Sequence, residues 1–342
     1  LLSGGPMLSG HYQGQILGAC TDCRRLTAEY QAGVLDAASY QEIEDGIVRS
    51  IGHCMVMGTA STMNSLAEAL GIALPGNGSI PAPDSRRLRL GVAVGRRIVE
   101  LAREGVRPSQ IMTRQAFENA ITLLCALGGS TNAVVHLPAI AGRLGVELPL
   151  ELFDEISRRS PMITSIRPAG QYQMEDLFYA GGISAVLSQL LPLLHGELPT
   201  VTGHSLAENV EGAQIYNSDV IRTLDDPLQS EGGLALLRGN LAPGGAVIKH
   251  AAATSRLLHH RGRAVVFRDM DDLRARINSP DLDVVEDDVL VLQNVGPVGG
   301  PGMPEVGNFP IPGKFLKRGI RDMVRISDAR MSGTAFGTIV LH

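Results

Sequence analysis

The chain has 342 residues, 44% of them apolar but only 4% aromatic, with 40 glycines and no tryptophan. That length exceeds the common single-domain size and predicts two domains with substantial cores. A net charge of −5 with dispersed basic residues excludes the electrostatic footprint of a nucleic-acid binder, and four cysteines are too few for a disulfide scaffold.

The opening Leu1-Leu2-Ser3-Gly4-Gly5 has no basic region followed by an apolar one, so no secretory signal is expected there. It lacks an initiator Met, and Thr338–His342 stops in a strand-like apolar run, so both ends read as cuts. Leu187–Leu194 is too short to span a bilayer. The cysteine usage fits a reducing cytoplasm. Partners expected are therefore a small molecule, with neither nucleic acid nor membrane.

The first half reads as helices joined by glycine-rich loops. Ser61–Leu70 places Met63, Leu66, Ala67 and Leu70 on one face and stops at Gly71. The short cluster Arg86, Arg87 and Arg89 reads as a solvated helix start. Leu88–Glu104 then repeats the helical pattern with Leu90, Val94, Ile98 and Leu101, ending at Gly105. Thr113 is a plausible N-cap for a helix through Leu127, and another helix runs from Asn132 towards Leu144. Gly128–Asn132 falls between them as a tight turn whose backbone N–H groups could meet a ligand. Ile163–Ile166 is short and apolar enough to be a strand.

The character changes near Leu198-Pro199-Thr200. Beyond it, Ala246–Lys249, Ala264–Phe267, Val289–Gln293 and Met323–Ile326 read as strands separated by Gly/Pro turns. A β-rich sandwich or barrel starting near residue 197 is expected. No repeat or low-complexity tract interrupts the chain.

Five groups of residues could carry chemistry. Cys20 and Cys23 form a C-x-x-C, but zinc would need a second matched pair, and only the adjacent, awkwardly placed His53 and Cys54 are near, so an incidental pair is the preferred reading over zinc or a redox dithiol. Cys54 lies just ahead of a helix start, where a thiolate is favoured; the alternative is a buried small hydrophobe. Cys125, midway along an apolar helix, reads as packing. Gly299–Glu305 is a stiff Gly/Pro loop ending in one carboxylate, which could serve a hard cation such as Mg²⁺, although taken alone it reads first as a surface turn with a solvated Glu. Ser327–Thr334 follows a strand and places Ser332 before Gly333. Ser332 could act as a base only as an alkoxide held by a nearby cation. No G-x-S-x-G elbow surrounds it, which disfavours acyl transfer. Gly128–Asn132, with Ser130 and Thr131, could cradle a carboxylate or phosphate or simply cap a helix.

Taken together, Gly52–Asn64, Gly128–Asn132, Gly299–Glu305 and Ser327–Thr334 resemble, in order and spacing, the family of dihydroxy-acid, sugar-acid and 6-phosphogluconate dehydratases. The resemblance runs over essentially the whole chain. It implies an α/β fold: an α/β/α domain over residues 1–196, cut at its start, then a β-rich barrel-like domain over residues 197–342, cut at its end. It implies a [2Fe–2S] cluster with Cys54 as one of three cysteine ligands, Mg²⁺ bound by Glu305, and Ser332 as the residue that removes the C2 proton. The other ligands belong to family segments upstream of Leu1. Cys20 and Cys23 fall outside the family's cysteine motifs. Ser130, Thr131 and Thr334 are candidate substrate contacts, and the family is typically homo-oligomeric.

The reaction so implied is dehydration of a 2,3-dihydroxy acid to a 2-keto-3-deoxy acid. Ser327-Asp328-Ala329-Arg330-Met331-Ser332-Gly333-Thr334 is closer to aldonic-acid dehydratases than to branched-chain enzymes, which resemble T-D-G-R-F-S-G-G here. Val295 before Gly296-Pro297, where the branched-chain type has Glu, points the same way. A sugar acid such as a pentonate is therefore expected ahead of dihydroxyisovalerate. Two rival readings stand: a catalytically silent chain with incomplete metal sites, and a small zinc module built on Cys20, Cys23 and Cys54.

Overall fold

The computed structural model describes residues 1–342 apart from 20, 32, 297–308, 333–336 and 342, and leaves out the side chains of residues 21, 24 and 28. A hairpin of β1 (Gly10–Tyr12) and β2 (Gln15–Leu17) opens the chain. Two helices follow, α1 (Thr21–Gln31) and α2 (Ala37–Ile47), and close a small core around Leu17, Leu26, Ile43, Ile47, Met55 and Val56.

The main helical layer comprises α3 (Thr59–Ala69), α4 (Ser85–Glu104), α5 (Pro108–Ile111), α6 (Arg114–Ala126), α7 (Ala133–Gly142), α8 (Leu150–Arg159), α9 (Met174–Tyr179), α10 (Gly182–Leu190) and α11 (Leu206–Asn209). Its centre is α6. The Thr113 side chain accepts from the Ala116 N–H as the expected N-cap. From Asn119 to Ala126 the helix carries no charged residue, and every one of these residues is buried. A helix without a polar face must be enclosed, and α3, α7, α8 and α10 enclose it. The core built on α6 draws in Leu206, Val210, Val220, Ile221 and Leu234 from further along the chain.

Two expectations for this half need correction. Arg87 is not solvated: its guanidinium is buried and donates to the carbonyls of Ser3, Asn77 and Ile80, tying loop 74–80 to the chain start. Ile163–Ile166 forms no strand; Thr164 and Ile166 make single bridges to Ile221 and Tyr172, because their neighbours are loop segments that run alongside only briefly. Within α4, Leu101 is buried as expected, but Ile98 is exposed.

The second half is built on one mixed sheet. In spatial order it runs β3 (Ala235–Leu237), β4 (Ala246–Ile248), β8 (Ile339–Leu341), β7 (Arg325–Ser327), β6 (Val289–Leu292) and β5 (Ala264–Phe267). The pairs β3–β4 and β4–β8 are antiparallel; β8, β7, β6 and β5 are parallel. Helices α12 (Met270–Arg276) and α13 (Gly313–Leu316) pack with the sheet around Phe267, Leu290, Phe309, Phe315 and Met323. Among the described residues the sheet is open, with β3 and β5 at its edges, so barrel closure is not seen. Four strand expectations were right within two residues, Met323–Ile326 being displaced to Arg325–Ser327. No described helix is long and apolar enough to cross a membrane.

Candidate active site

Parallel strands send their carboxyl ends to one edge, the edge where open α/β sheets bind ligands. Leu292 of β6 pairs with Ser327 of β7, so the segments that follow them emerge side by side. They are braced there: the Val295 N–H donates to Asp328 Oδ1 at 3.1 Å, and the Ala329 N–H donates to Ser327 Oγ at 3.1 Å. Ala329 and Met331 are buried, and Ser332 is half-buried beyond them. Glu305 and Thr334 lie outside the described residues.

In the helical half, Cys54 sits in the loop that leads into α3. Its Sγ donates to the Ala19 carbonyl at 3.2 Å, and its own carbonyl accepts from Ser61 Oγ. Next to it, His53 contacts Asn64 Nδ2 through Nε2 at 2.8 Å, and burial holds its imidazole below the ordinary pKa. Cys23, on α1, packs against the same small core as Cys54. Cys23 and Cys54 therefore border one small core, although they are far apart in sequence. Cys20 itself lies outside the described residues. Cys125 is wholly buried, and burial pushes its thiol up to about 12, so it is a packing residue.

The turn at Gly128–Asn132 joins α6 to α7 as expected, but its polar groups face inward. Ser130 is fully buried. Its N–H donates to Thr62 Oγ1 at 3.0 Å, and its hydroxyl lies 3.1 Å from Thr59 Oγ1. Asn132 Nδ2 donates to the same Thr59 oxygen at 2.8 Å, and the Asn132 N–H donates to Ser130 Oγ. The Gly128 and Gly129 amides are spent on Cys125 and Leu124 carbonyls. A turn offering several amides to an anion is thus not what these residues form. They lock the start of α3 to the start of α7, and Thr131 is the half-buried member.

Backbone hydrogen bonds connect this turn to the sheet. The Gly233 N–H donates to the Cys125 carbonyl, the Ala251 N–H to the Gly233 carbonyl, and the Gly337 N–H to the Ala252 carbonyl. The end of α6 and the return of the Ser332 segment therefore lie on one bonded path. Sequence reading missed two features beside it. Lys249, at the end of β4, is buried, and desolvation lowers its ammonium to about 7. Asp322 and Arg325 form a buried ion pair at 3.1 Å before Ser332. A buried charge breaks the apolar pattern of a strand and is the signal that could have exposed both.

An iron–sulfur cluster takes thiolates, and Cys54 suits that chemistry as a half-buried thiol at a loop. Among the described residues no three His, Cys, Asp or Glu side chains come close enough to hold a metal ion. Cys54 therefore fits as one ligand, and the described residues do not complete a ligand set.

Residues 1–209 match the dihydroxy-acid/6-phosphogluconate dehydratase N-terminal family model, and residues 219–342 match the corresponding C-terminal model. The chain is 51% identical to the L-arabinonate dehydratase of Rhizobium leguminosarum bv. trifolii (strain WSM2304), over 100% of this chain and 59% of that protein. It is 53% identical to the L-arabonate dehydratase of Azospirillum brasilense, again over 100% and 59%. It is 42% identical to the dihydroxy-acid dehydratase of Caldicellulosiruptor saccharolyticus (strain ATCC 43494 / DSM 8903 / Tp8T 6331), over 100% and 62%. The chain thus spans about three fifths of the length of these relatives. With both family models matched in order along it, the chain belongs to the dihydroxy-acid/6-phosphogluconate dehydratase family.

Proposed function

We propose that the protein carrying this chain is a hydro-lyase that dehydrates a 2,3-dihydroxy carboxylic acid of the aldonic sugar-acid class to a 2-keto-3-deoxy acid. The observation that carries the reading is the place of Ser332, in a family-type motif on the segment leaving the carboxyl edge of the parallel strands. In this reading Ser332 Oγ takes the C2 proton, the C3 hydroxyl leaves as water, and the enol so formed relaxes to the ketone. Cys54 is the proposed cluster ligand and Glu305 the proposed Mg²⁺ ligand. When bound, these metal centres supply the positive charge that holds a serine as alkoxide and the Lewis acidity that eases departure of a hydroxyl.

A sugar acid is favoured over a branched-chain acid by the Ser327–Thr334 sequence and by similarity to relatives named for L-arabinonate and L-arabonate. The test is kcat/KM of the full-length protein on a pentonate and on dihydroxyisovalerate. The pentonate is expected to be the better substrate; turnover of the branched-chain acid alone refutes the assignment.

A second reading is that the 342-residue chain, which spans about three fifths of the length of its relatives, is catalytically silent by itself. Reconstitution with iron and sulfide should then give no stoichiometric cluster absorption. Full assembly on this chain alone would reject that reading.

A further inference from the structure

Arg325 and Asp322 are 5% and 4% exposed, and each makes bonds far from itself in sequence. Asp322 Oδ1 accepts from Arg325 Nη2 at 3.1 Å. Asp322 Oδ2 accepts from the Thr338 N–H at 2.9 Å, from Thr338 Oγ1 at 2.9 Å and from Thr254 Oγ1 at 2.7 Å. Arg325 Nη1 donates to the Phe309 carbonyl at 2.6 Å. Ser332 lies between these anchors: Arg325 starts β7 on its upstream side, and Thr338 precedes β8 on its downstream side. Gly337 packs directly on the pair, with φ of +110°, and a Cβ there would meet both Asp322 Oδ1 and Arg325 Nη2.

Apolar packing could enclose this region without fixing direction. A carboxylate that accepts four directed bonds and a guanidinium that forks between two acceptors fix both distance and angle. We propose that the Asp322–Arg325 pair is the positioning device for Ser332, holding the incoming and returning ends of its segment in one geometry and registering them against Phe309. The inference rests on the reading of Ser332 as the proton-abstracting residue. Arg325 and Asp322 are positioning residues and touch no reacting atom.

The test uses the full-length holoenzyme with Arg325→Lys, which keeps the charge but loses the fork, and Thr338→Val, a milder change that removes one hydroxyl from Asp322. Visible cluster absorption and far-UV circular dichroism check assembly and fold. Displacement of a reacting group by about 1 Å costs on the order of 100-fold in rate, so Arg325→Lys should lower kcat by roughly 10- to 100-fold with KM changed little. Amide exchange at Ser332 and Thr338 should accelerate in both variants, while exchange in β5 stays as in the wild type. If Arg325→Lys does not fold, Thr338→Val carries the same two readouts at smaller amplitude. A folded variant with wild-type kcat and wild-type exchange at both positions overturns the proposal. Wild-type turnover in Ser332→Ala overturns the underlying reading instead, and the exchange result then still decides whether the pair orders the segment.

Discussion

Replacing Gly129 by Ala tests the junction that joins α3, α6 and α7. A Cβ at this position would lie 2.6 Å from Leu124 Cδ1, 3.1 Å from Thr62 Cγ2 and 3.2 Å from the Leu124 carbonyl oxygen. The backbone itself tolerates alanine, since Gly129 is not in the left-handed region. The cost is therefore overpacking alone. Leu124 is fully enclosed in the main core and has nowhere to retreat, while a shift of Thr62 would weaken its bond to the Ser130 amide. Overpacking of this kind costs about 1–3 kcal/mol, and for a unit of this size each kcal/mol lowers Tm by about 2–4 °C. The expected loss is thus roughly 2–12 °C, read by circular dichroism, with a lower urea midpoint at unchanged slope. Gly142→Ala is the internal control. It lies at the exposed end of α7 with nothing within 4 Å of its Cβ position, so alanine there should be neutral or stabilising by about 0.5–1 kcal/mol. Equal melting of Gly129→Ala and wild type would show that the junction is looser than the distances require.

Three further outcomes are expected. Cys125, with its thiol pushed up to about 12 by burial, should resist alkylation at pH 8 in the native protein and react only on unfolding; labelling of native protein at this position would contradict its place in the core. Glu68 is enclosed, and desolvation raises its carboxyl to about 7 despite bonds from the Gly76 and Gly78 amides. The folded state therefore holds a proton that the unfolded state releases between pH 4.5 and 7. Stability should fall as pH rises through that window, by at most about 3 kcal/mol, and Glu68→Gln should flatten the slope; an unchanged slope in urea titrations counts against it. Ser332→Ala in the full-length protein should abolish turnover while leaving cluster absorption intact, and retained activity would remove Ser332 from its proposed role.

What the sequence disclosed follows from how local each signal is. The helix over 114–126 was legible because Thr113 caps it through a residue three positions away. The strands at Ala264 and Val289 were legible because their apolar runs are bounded by turn residues. Arg87 was misread because its three acceptors, the Ser3, Asn77 and Ile80 carbonyls, all lie upstream outside its own helix, and a charge run looks solvated unless those segments are known. Barrel closure is not seen among the described residues, and the order of the strands was hidden for a related reason. Strand order is a property of pairing, and β8 inserts between β4 and β7 although it comes last in the chain. In the site, the strand-end position of Ser332 was readable, whereas the inward turn of Ser130 was not. Its fate depends on Thr59 and Thr62, about seventy residues upstream.

The sheet itself explains why buried carboxylates stand just ahead of two of its strands. Its strands are only three or four residues long, shorter than the usual five or so, and supply few ladder bonds with which to set register. Directed side-chain bonds make up the difference. Asp288, immediately before β6, accepts from the Val285 amide at 2.8 Å and from Arg263 Nη2 at 2.9 Å, and the Val289 N–H donates to the Arg263 carbonyl. Asp322, three residues before β7, collects Arg325, Thr338 and Thr254. Both carboxylates act at the amino ends of the parallel strands, opposite the edge from which the Ser332 segment emerges. One edge is thereby fixed by directed bonds to buried carboxylates, and the other is left to short braced segments that can be shaped for chemistry, a division in which a rigid scaffold presents its working residues on connecting loops. It follows that charge removal at Asp288 should destabilise the sheet without altering the Ser332 geometry, whereas charge removal at Asp322 should disturb both.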